Sequence, residues 1–348
     1  MPASFNKAAL DGFHFQYEAN EVYRRFCDAL QFQANNIPDY TSIPFLPIGF
    51  FKTKQLTSSI FEPEAVFESS GTTQTIQSRH YVKSVALYEQ AFFRGFELEY
   101  GNPEQFCILG LLPSYLERSH SSLVYMVKRL MDKSAHPANG FYLHEFENLA
   151  TMLRELEAKQ QPTLLFGVTF ALLDFAEQFE LPLRYTTILE TGGMKGRREE
   201  LTREEVHLQL KKSFGLPSIH SEYGKTELLS QAYSAGDGIF HCPPWMKVLV
   251  RDEDDPLHIR TKGKGAINII DLEQSRVATC LLPLAKYLRK NKPAALLSVM
   301  NYANVIAIMA KQLSRVNCRL VLTEHNDAQQ ALRHSTSLRY RFVSILTK

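Results

Sequence analysis

Two short apolar runs, Phe106-Cys107-Ile108-Leu109-Gly110-Leu111-Leu112 and Thr163-Leu164-Leu165-Phe166-Gly167-Val168, most constrain what this chain can fold into. Neither alternates polar with apolar residues, so both predict strands covered on both faces. Around them recur segments with apolar residues at helical spacing. Val82 to Tyr100 carries Val85, Tyr88, Phe92 and Phe96 along one face. Ser121 to Met131, Glu145 to Lys159 and Phe170 to Phe179 repeat the pattern. Thr186 to Glu190 predicts a third strand, running into Thr191-Gly192-Gly193. Thr202 to Phe214 predicts a helix opened by a Thr202-x-x-Glu205 capping box. Ile219 to Tyr223 is a short strand, followed by further strands at Met246 to Arg251 and Ile267 to Leu272. Apolar strands alternating with helices predict an α/β fold with a mostly parallel sheet flanked by helices. Ligand-binding groups then gather at the carboxyl ends of strands, where Gly192-Gly193 and Tyr223 fall.

The two ends of the chain read differently. Glu18 to Ala34 predicts one amphipathic helix with Val22, Tyr23, Phe26 and Leu30 on a face, stopped by Pro38. Ile43 to Ile48, with its two prolines, reads as extended chain. Toward the other end, Leu281 to Lys290 and Asn304 to Ser314 predict helices, and Ala295 to Met300 and Leu320 to Thr323 strands. This is a short βαβ-type piece, too small to close a core alone.

Charge marks a boundary between body and tail. From Gln274 onward there are 12 Lys/Arg against two acidic residues, Glu324 and Asp327, leaving 27 against 35 before it. The formal net charge of +2 thus hides an acidic body and a basic tail, and predicts domains at 1–273 and 274–348. Five cysteines without a CxxC pair read as reduced thiols of a cytoplasmic protein. No His pair has metal-ligand spacing, and no apolar run reaches the ~18 residues of a membrane span. Neither a signal peptide nor a nucleic-acid partner is expected.

Three polar constellations carry candidate chemistry. Ser69-Ser70-Gly71-Thr72-Thr73 puts four hydroxyls and a glycine in five positions. Such residues resist helix and suit a turn whose amides and hydroxyls converge on an anion. The competing reading is a polar surface loop, and it is not a Walker loop, because no Gly-Lys-Ser/Thr follows. Ser221-Glu222-Tyr223-Gly224-Lys225-Thr226-Glu227 offers an aromatic face, a hydroxyl and a carboxylate fit for a hard magnesium ion. Its bland reading is a strand end with a helix cap. Glu190-Thr191-Gly192-Gly193-Met194-Lys195-Gly196-Arg197-Arg198 pairs glycines, which admit a flat base against backbone, with cations that suit a triphosphate; the alternative is a solvated basic turn.

In this order the segments resemble the adenylate-forming superfamily, and residues 1–272 look like LuxE-type acyl-protein synthetases. The carrying phrases are FESSGTTQ, SRHYV, LLPSYLERSHSSLVYM, GVTFALL, ETGGMKGRREELTREE, HSEYGKTELLSQAYS, CPPWMKVLVRD and INIIDL. The resemblance implies an adenylate-forming-enzyme-like lobe using ATP and Mg2+ to turn a fatty acid into an acyl-adenylate. The acyl group would pass to a thiol or an acceptor protein. By the same resemblance Ser69, Ser70, Gly71, Thr72 and Thr73 wrap the β- and γ-phosphates. Gly192 and Gly193 lie near adenine, and Tyr223 and Gly224 take part in holding it. Thr226 meets the α-phosphate, Glu227 binds magnesium, and Lys195 completes the candidate catalytic set.

The chain also departs from that pattern. Gln74 stands where the superfamily loop has glycine, and the lysine that usually follows is missing. After Asp271-Leu272 the ribose-holding aspartate and the Gly-Arg element do not follow. Instead Leu281 to Asn326, through LLPLAKYLRKNKPAALLSVMNYANVIAIMAKQL and RLVLTEHN, resembles part of the N-terminal domain of family-4 glycosyltransferases. Three readings follow: an acyl-activating ligase impaired by the change, an inactive nucleotide-binding remnant of a chimeric chain, and a glycosyltransferase fragment.

Overall fold

The computed structural model describes residues 5–35, 37–70, 76–113, 119–192, 201–236, 238–252, 258–260, 265–271, 295–298 and 319–322, together with Arg289 and Ser314. Its helices are α1 (Phe5–Ala19), α2 (Glu21–Ala29), α3 (Phe50–Thr53), α4 (Val85–Tyr100), α5 (Ser122–Ser134), α6 (Phe146–Ala158), α7 (Thr169–Gln178) and α8 (Arg203–Phe214). The first eight strands are β1 (Ala65–Glu68), β2 (Arg79–Val82), β3 (Cys107–Leu111), β4 (Gly140–Phe141), β5 (Thr163–Val168), β6 (Thr186–Thr191), β7 (His220–Tyr223) and β8 (Ala232–Ser234). The rest are β9 (Met246–Arg251), β10 (Ile259–Arg260), β11 (Ala266–Asp271), β12 (Ala295–Ser298) and β13 (Arg319–Leu322). The chain divides into two compact units, one continuous (Pro47–Gly238) and one discontinuous (Met1–Leu46 with Ile239–Lys348).

The continuous unit is built on a six-stranded sheet of order β4-β3-β5-β6-β7-β8. All neighbours run parallel except β7 and β8. The predicted α/β class is therefore the observed one. Every residue of β3 and β5 is buried, as their unbroken apolar runs require. Phe92 and Phe96 of α4, Leu172 and Phe175 of α7, and Phe214 of α8 join Leu109, Phe166 and Ile188 in one core. Each such side chain contributes roughly 1.5–3 kcal/mol on burial. Phe175 and Phe214 stack at 5.8 Å, tying α7 to α8.

Side chains fix where the elements begin. The capping box forms as expected: Glu205 N–H donates to Thr202 Oγ1 at 3.2 Å, and Thr202 N–H to Glu205 Oε2 at 2.8 Å. Glu157, near the end of α6, accepts from the N–H groups of Arg184 (2.8 Å) and Tyr185 (3.1 Å) and from the Thr186 hydroxyl (2.7 Å), so it anchors the start of β6. The register aligns Val168 with Thr191 and Thr191 with Glu222, leaving the carboxyl ends of β5, β6 and β7 level.

In the discontinuous unit, α1 and α2 pack around the buried Phe13, Tyr23 and Cys27. Here the expectation of a single helix from Glu18 to Ala34 fails. Asn20 is extended, and its Oδ1 accepts from the Tyr23 N–H at 3.1 Å, which ends one helix and caps the next. Strands β10-β9-β11 form an antiparallel sheet. The Lys247 ammonium of β9 lies 4.6 Å from the Phe5 ring and 4.7 Å from the Tyr40 ring. Strands β12 and β13 pair in parallel, Ala295 opposite Arg319. The helices expected at 281–290 and 304–314, and the expected boundary at 273/274, lie outside the described residues but for Arg289 and Ser314.

Candidate functional site

Ser69 and Ser70 follow β1 in an antiparallel hairpin, β1–β2, that pairs Ala65 with Val82 through Glu68 with Arg79. At its mouth the Ser69 N–H donates to the Ser78 carbonyl at 3.0 Å, and the Ser78 N–H donates to Ser69 Oγ at 2.9 Å. Arg79 Nε meets Glu68 Oε1 at 3.0 Å beside it. Ser69 thus helps shape the loop, and its own O–H has no acceptor among the described residues. Ser70 follows it, exposed. Gly71, Thr72 and Thr73 lie outside the described residues, as do Gly193 and Lys195.

His80, one residue into β2, joins the first constellation to the second. Its Nδ1 is 2.9 Å from the Thr226 carbonyl oxygen. A carbonyl only accepts, so Nδ1 carries the proton and Nε2 is left as an acceptor. Burial lowers the basicity of this imidazole, against the raising effects of the Thr226 bond and the nearby Glu227 charge. The hairpin base and the 223–227 segment are therefore held at hydrogen-bonding distance across 146 residues of sequence.

The second constellation leaves the sheet at the end of β7. Leu228 N–H donates to the Lys225 carbonyl at 3.0 Å and closes a turn. Lys225 Nζ lies 6.0 Å from the Tyr223 ring centroid, a weak cation–π contact on a half-buried aromatic. Thr226 and Glu227 are also half-buried. Gly224 has a steric reason to be glycine, because a Cβ there would run into the Glu222 carboxylate. Glu222 itself is buried, accepts from the Thr191 hydroxyl at 2.6 Å, and has its pKa pushed up to about 7 by burial.

The third constellation begins where β6 ends. Gly192 turns the chain with φ of +79°, in the left-handed region that disfavours side chains. Its carbonyl accepts from Thr169 Oγ1 at 2.7 Å, and the same hydroxyl meets Glu190 Oε1. Glu190 Oε2 is 3.2 Å from Ser221 Oγ, which lies 3.2 Å from His207 Nε2. By strand alternation, Glu190 with Ser221 and Thr191 with Glu222 occupy opposite faces of the sheet. His80 and Thr169 lie outside all three constellations, and Glu190 and Glu222 stand inside two of them without an assigned role. Their one signal is adjacency: a carboxylate beside the Tyr-Gly pair, and another closing an apolar strand.

Level strand ends bearing glycines, hydroxyls and two buried carboxylates define an α/β protein whose polar groups converge at the carboxyl edge of a parallel sheet. The chain belongs to the LuxE acyl-protein synthetase family, whose sequence model matches residues 3–276. It is 40% identical over 67 residues to a long-chain-fatty-acid–luciferin-component ligase of Photorhabdus luminescens; the match takes in 19% of this chain and 57% of that relative, little more than half its length. Among solved structures, ATP-bound MatB from Rhodopseudomonas palustris is similar with a TM-score of 0.44 and 14% identity, covering 63% of this chain and 41% of that one. The O-succinylbenzoate coenzyme A synthetase MenE from Bacillus subtilis, in complex with ATP and magnesium ion, is similar with a TM-score of 0.41 and 16% identity, covering 61% and 42%.

Proposed function

We propose that this chain uses ATP to activate a fatty carboxylate. A carboxylate oxygen attacks the α-phosphorus, the bond to the bridging oxygen of the β-phosphate breaks, and acyl-AMP and pyrophosphate form. The acyl group then passes to a thiol or an acceptor protein. The observation that carries this reading is the His80–Thr226 bond, which in a LuxE-family chain holds the hydroxyl-rich hairpin against the Tyr223–Glu227 segment. Phosphoryl displacement of this kind asks for charge neutralisation and in-line positioning, not for an acid and a base. Hairpin hydroxyls and amides from Ser69 to Thr73 would grip the β- and γ-phosphates, with Lys195 adding positive charge. Gly192 and Gly193 would admit the adenine, with Tyr223 and Gly224 against it, and Thr226 would donate to the α-phosphate.

Glu227 fits a magnesium ion. Its carboxylate is half-buried and enters no ion pair among the described residues. No group of three or more His, Cys, Asp or Glu there forms a dedicated metal cage. Magnesium is commonly held by one or two carboxylates plus substrate phosphates, and a single carboxylate beside a phosphate loop matches that habit. When bound, the ion would neutralise charge on the phosphates.

The family match ends at residue 276, where the acidic body gives way to the basic tail, and this agreement supports domains at 1–273 and 274–348. The tail then adds nothing to the site, and turnover is slow for want of a ribose-holding carboxylate. No helix of the described residues is long and apolar enough to cross a membrane, which accords with a cytoplasmic enzyme. ATP–pyrophosphate exchange across a panel of fatty acids tests the proposal. Exchange that requires a fatty acid supports it. ATP binding without exchange would replace it with a nucleotide-binding module.

A further inference from the structure

We propose that Glu190 is a positioning residue that acts as a hydrogen-bond donor: its carboxyl O–H meets Thr169 Oγ1, whose own O–H holds the Gly192 carbonyl in the turn after β6. Four contacts run in a row here, from the Gly192 oxygen through Thr169, Glu190 and Ser221 to His207 Nε2. Each needs one hydrogen. The two hydroxyls and the imidazole Nε2 bring one apiece, and the carbonyl brings none. The fourth must sit on Glu190. With an ionised carboxylate, Thr169 must choose between two acceptors, leaving two oxygens face to face without a proton in a buried place.

The surroundings agree with a neutral carboxyl. The Glu190 side chain is only 8% exposed. Burial raises its pKa, opposed by the Thr169 and Ser221 hydrogen bonds and by the Arg203 charge from α8. His207, also from α8, lies 4.0 Å from Oε2, and Glu222 stands on the neighbouring strand β7.

The consequence for nucleotide affinity rests on the reading of Gly192 given above, whereas the proton itself does not. Two measurements on the full chain separate them. The first is difference infrared spectroscopy of the wild type against Glu190→Gln at neutral pH. We expect the substitution to remove a protonated-carboxyl band; loss of a carboxylate band instead would overturn the proposal. The second is ATP affinity by calorimetry over a rising series of pH values. Wild-type affinity should fall by about tenfold or more as Glu190 ionises. Glu190→Gln, whose amide still donates to Thr169, should keep neutral-pH affinity within about threefold and lose the pH dependence. Thr169→Ser should behave as wild type, and Thr169→Val should bind weakly at every pH. Glu190→Gln binding as poorly as Thr169→Val would refute the donor role. If no form binds ATP yet the protonated-carboxyl band is present, the nucleotide reading fails and the proton stands.

Discussion

At the scale of single residues, Glu222 shows how position sets chemistry. Its carboxyl has one hydroxyl partner and otherwise a buried setting, so its pKa rises to about 7. An unfolded glutamate titrates near ~4.3. Between those values the folded chain holds more protons than the unfolded one, so stability falls as pH rises through that window and levels off above it. Glu222→Gln should flatten this slope: relative to the variant, the wild type should lose on the order of 3 kcal/mol between about pH 4 and about pH 8. Urea denaturation at several pH values measures it, and parallel curves would mean Glu222 stays ionised. Glu227 differs, being half-buried and outside any ion pair among the described residues. Glu227→Gln should cut pyrophosphate exchange by about 100-fold or more while moving stability by no more than ~0.5 kcal/mol; unchanged exchange would remove it from the metal site. The sequence displays Glu227 because polar residues cluster around it. It hides Glu222 and Glu190, since a charged letter reads as surface until the fold supplies Thr191, Thr169 and Ser221 as partners.

At the scale of elements, one imidazole ties the β1–β2 hairpin to the 223–227 segment. His80→Ala should release the Thr226 carbonyl and let the hairpin drift from the 223–227 segment. ATP affinity should then drop by about tenfold, roughly the worth of one buried hydrogen bond, with the thermal midpoint lowered only slightly. Equal affinity in the variant would show that the two segments are aligned by other means. Strands β3 and β5 are plain in the sequence because their buried faces demand unbroken apolar runs. The hairpin is not, because Arg79-His80-Tyr81-Val82 is short and half polar. Nor is the break between α1 and α2, which turns on a single Asn20 side chain capping Tyr23. Local hydrogen bonds of this kind compete with helix over a few residues and leave no periodic trace.

At the scale of the whole molecule, the division into units predicts an order of assembly. Residues 47–238 are continuous and own the six-stranded sheet and the large core around it. Expressed alone, this stretch should unfold cooperatively; loss of fixed tertiary packing, read as dye binding with weak near-ultraviolet dichroism, would contradict that. The other unit cannot behave so. Lys247, set between the Phe5 and Tyr40 rings, stands 207 positions after Tyr40. On a ribosome adding ~5–20 residues per second, that ammonium arrives roughly 10–40 s after the rings that receive it. The first helices to emerge are thus among the last to settle, and until then Phe13 and Tyr23 are clients for any chaperone waiting at the tunnel exit.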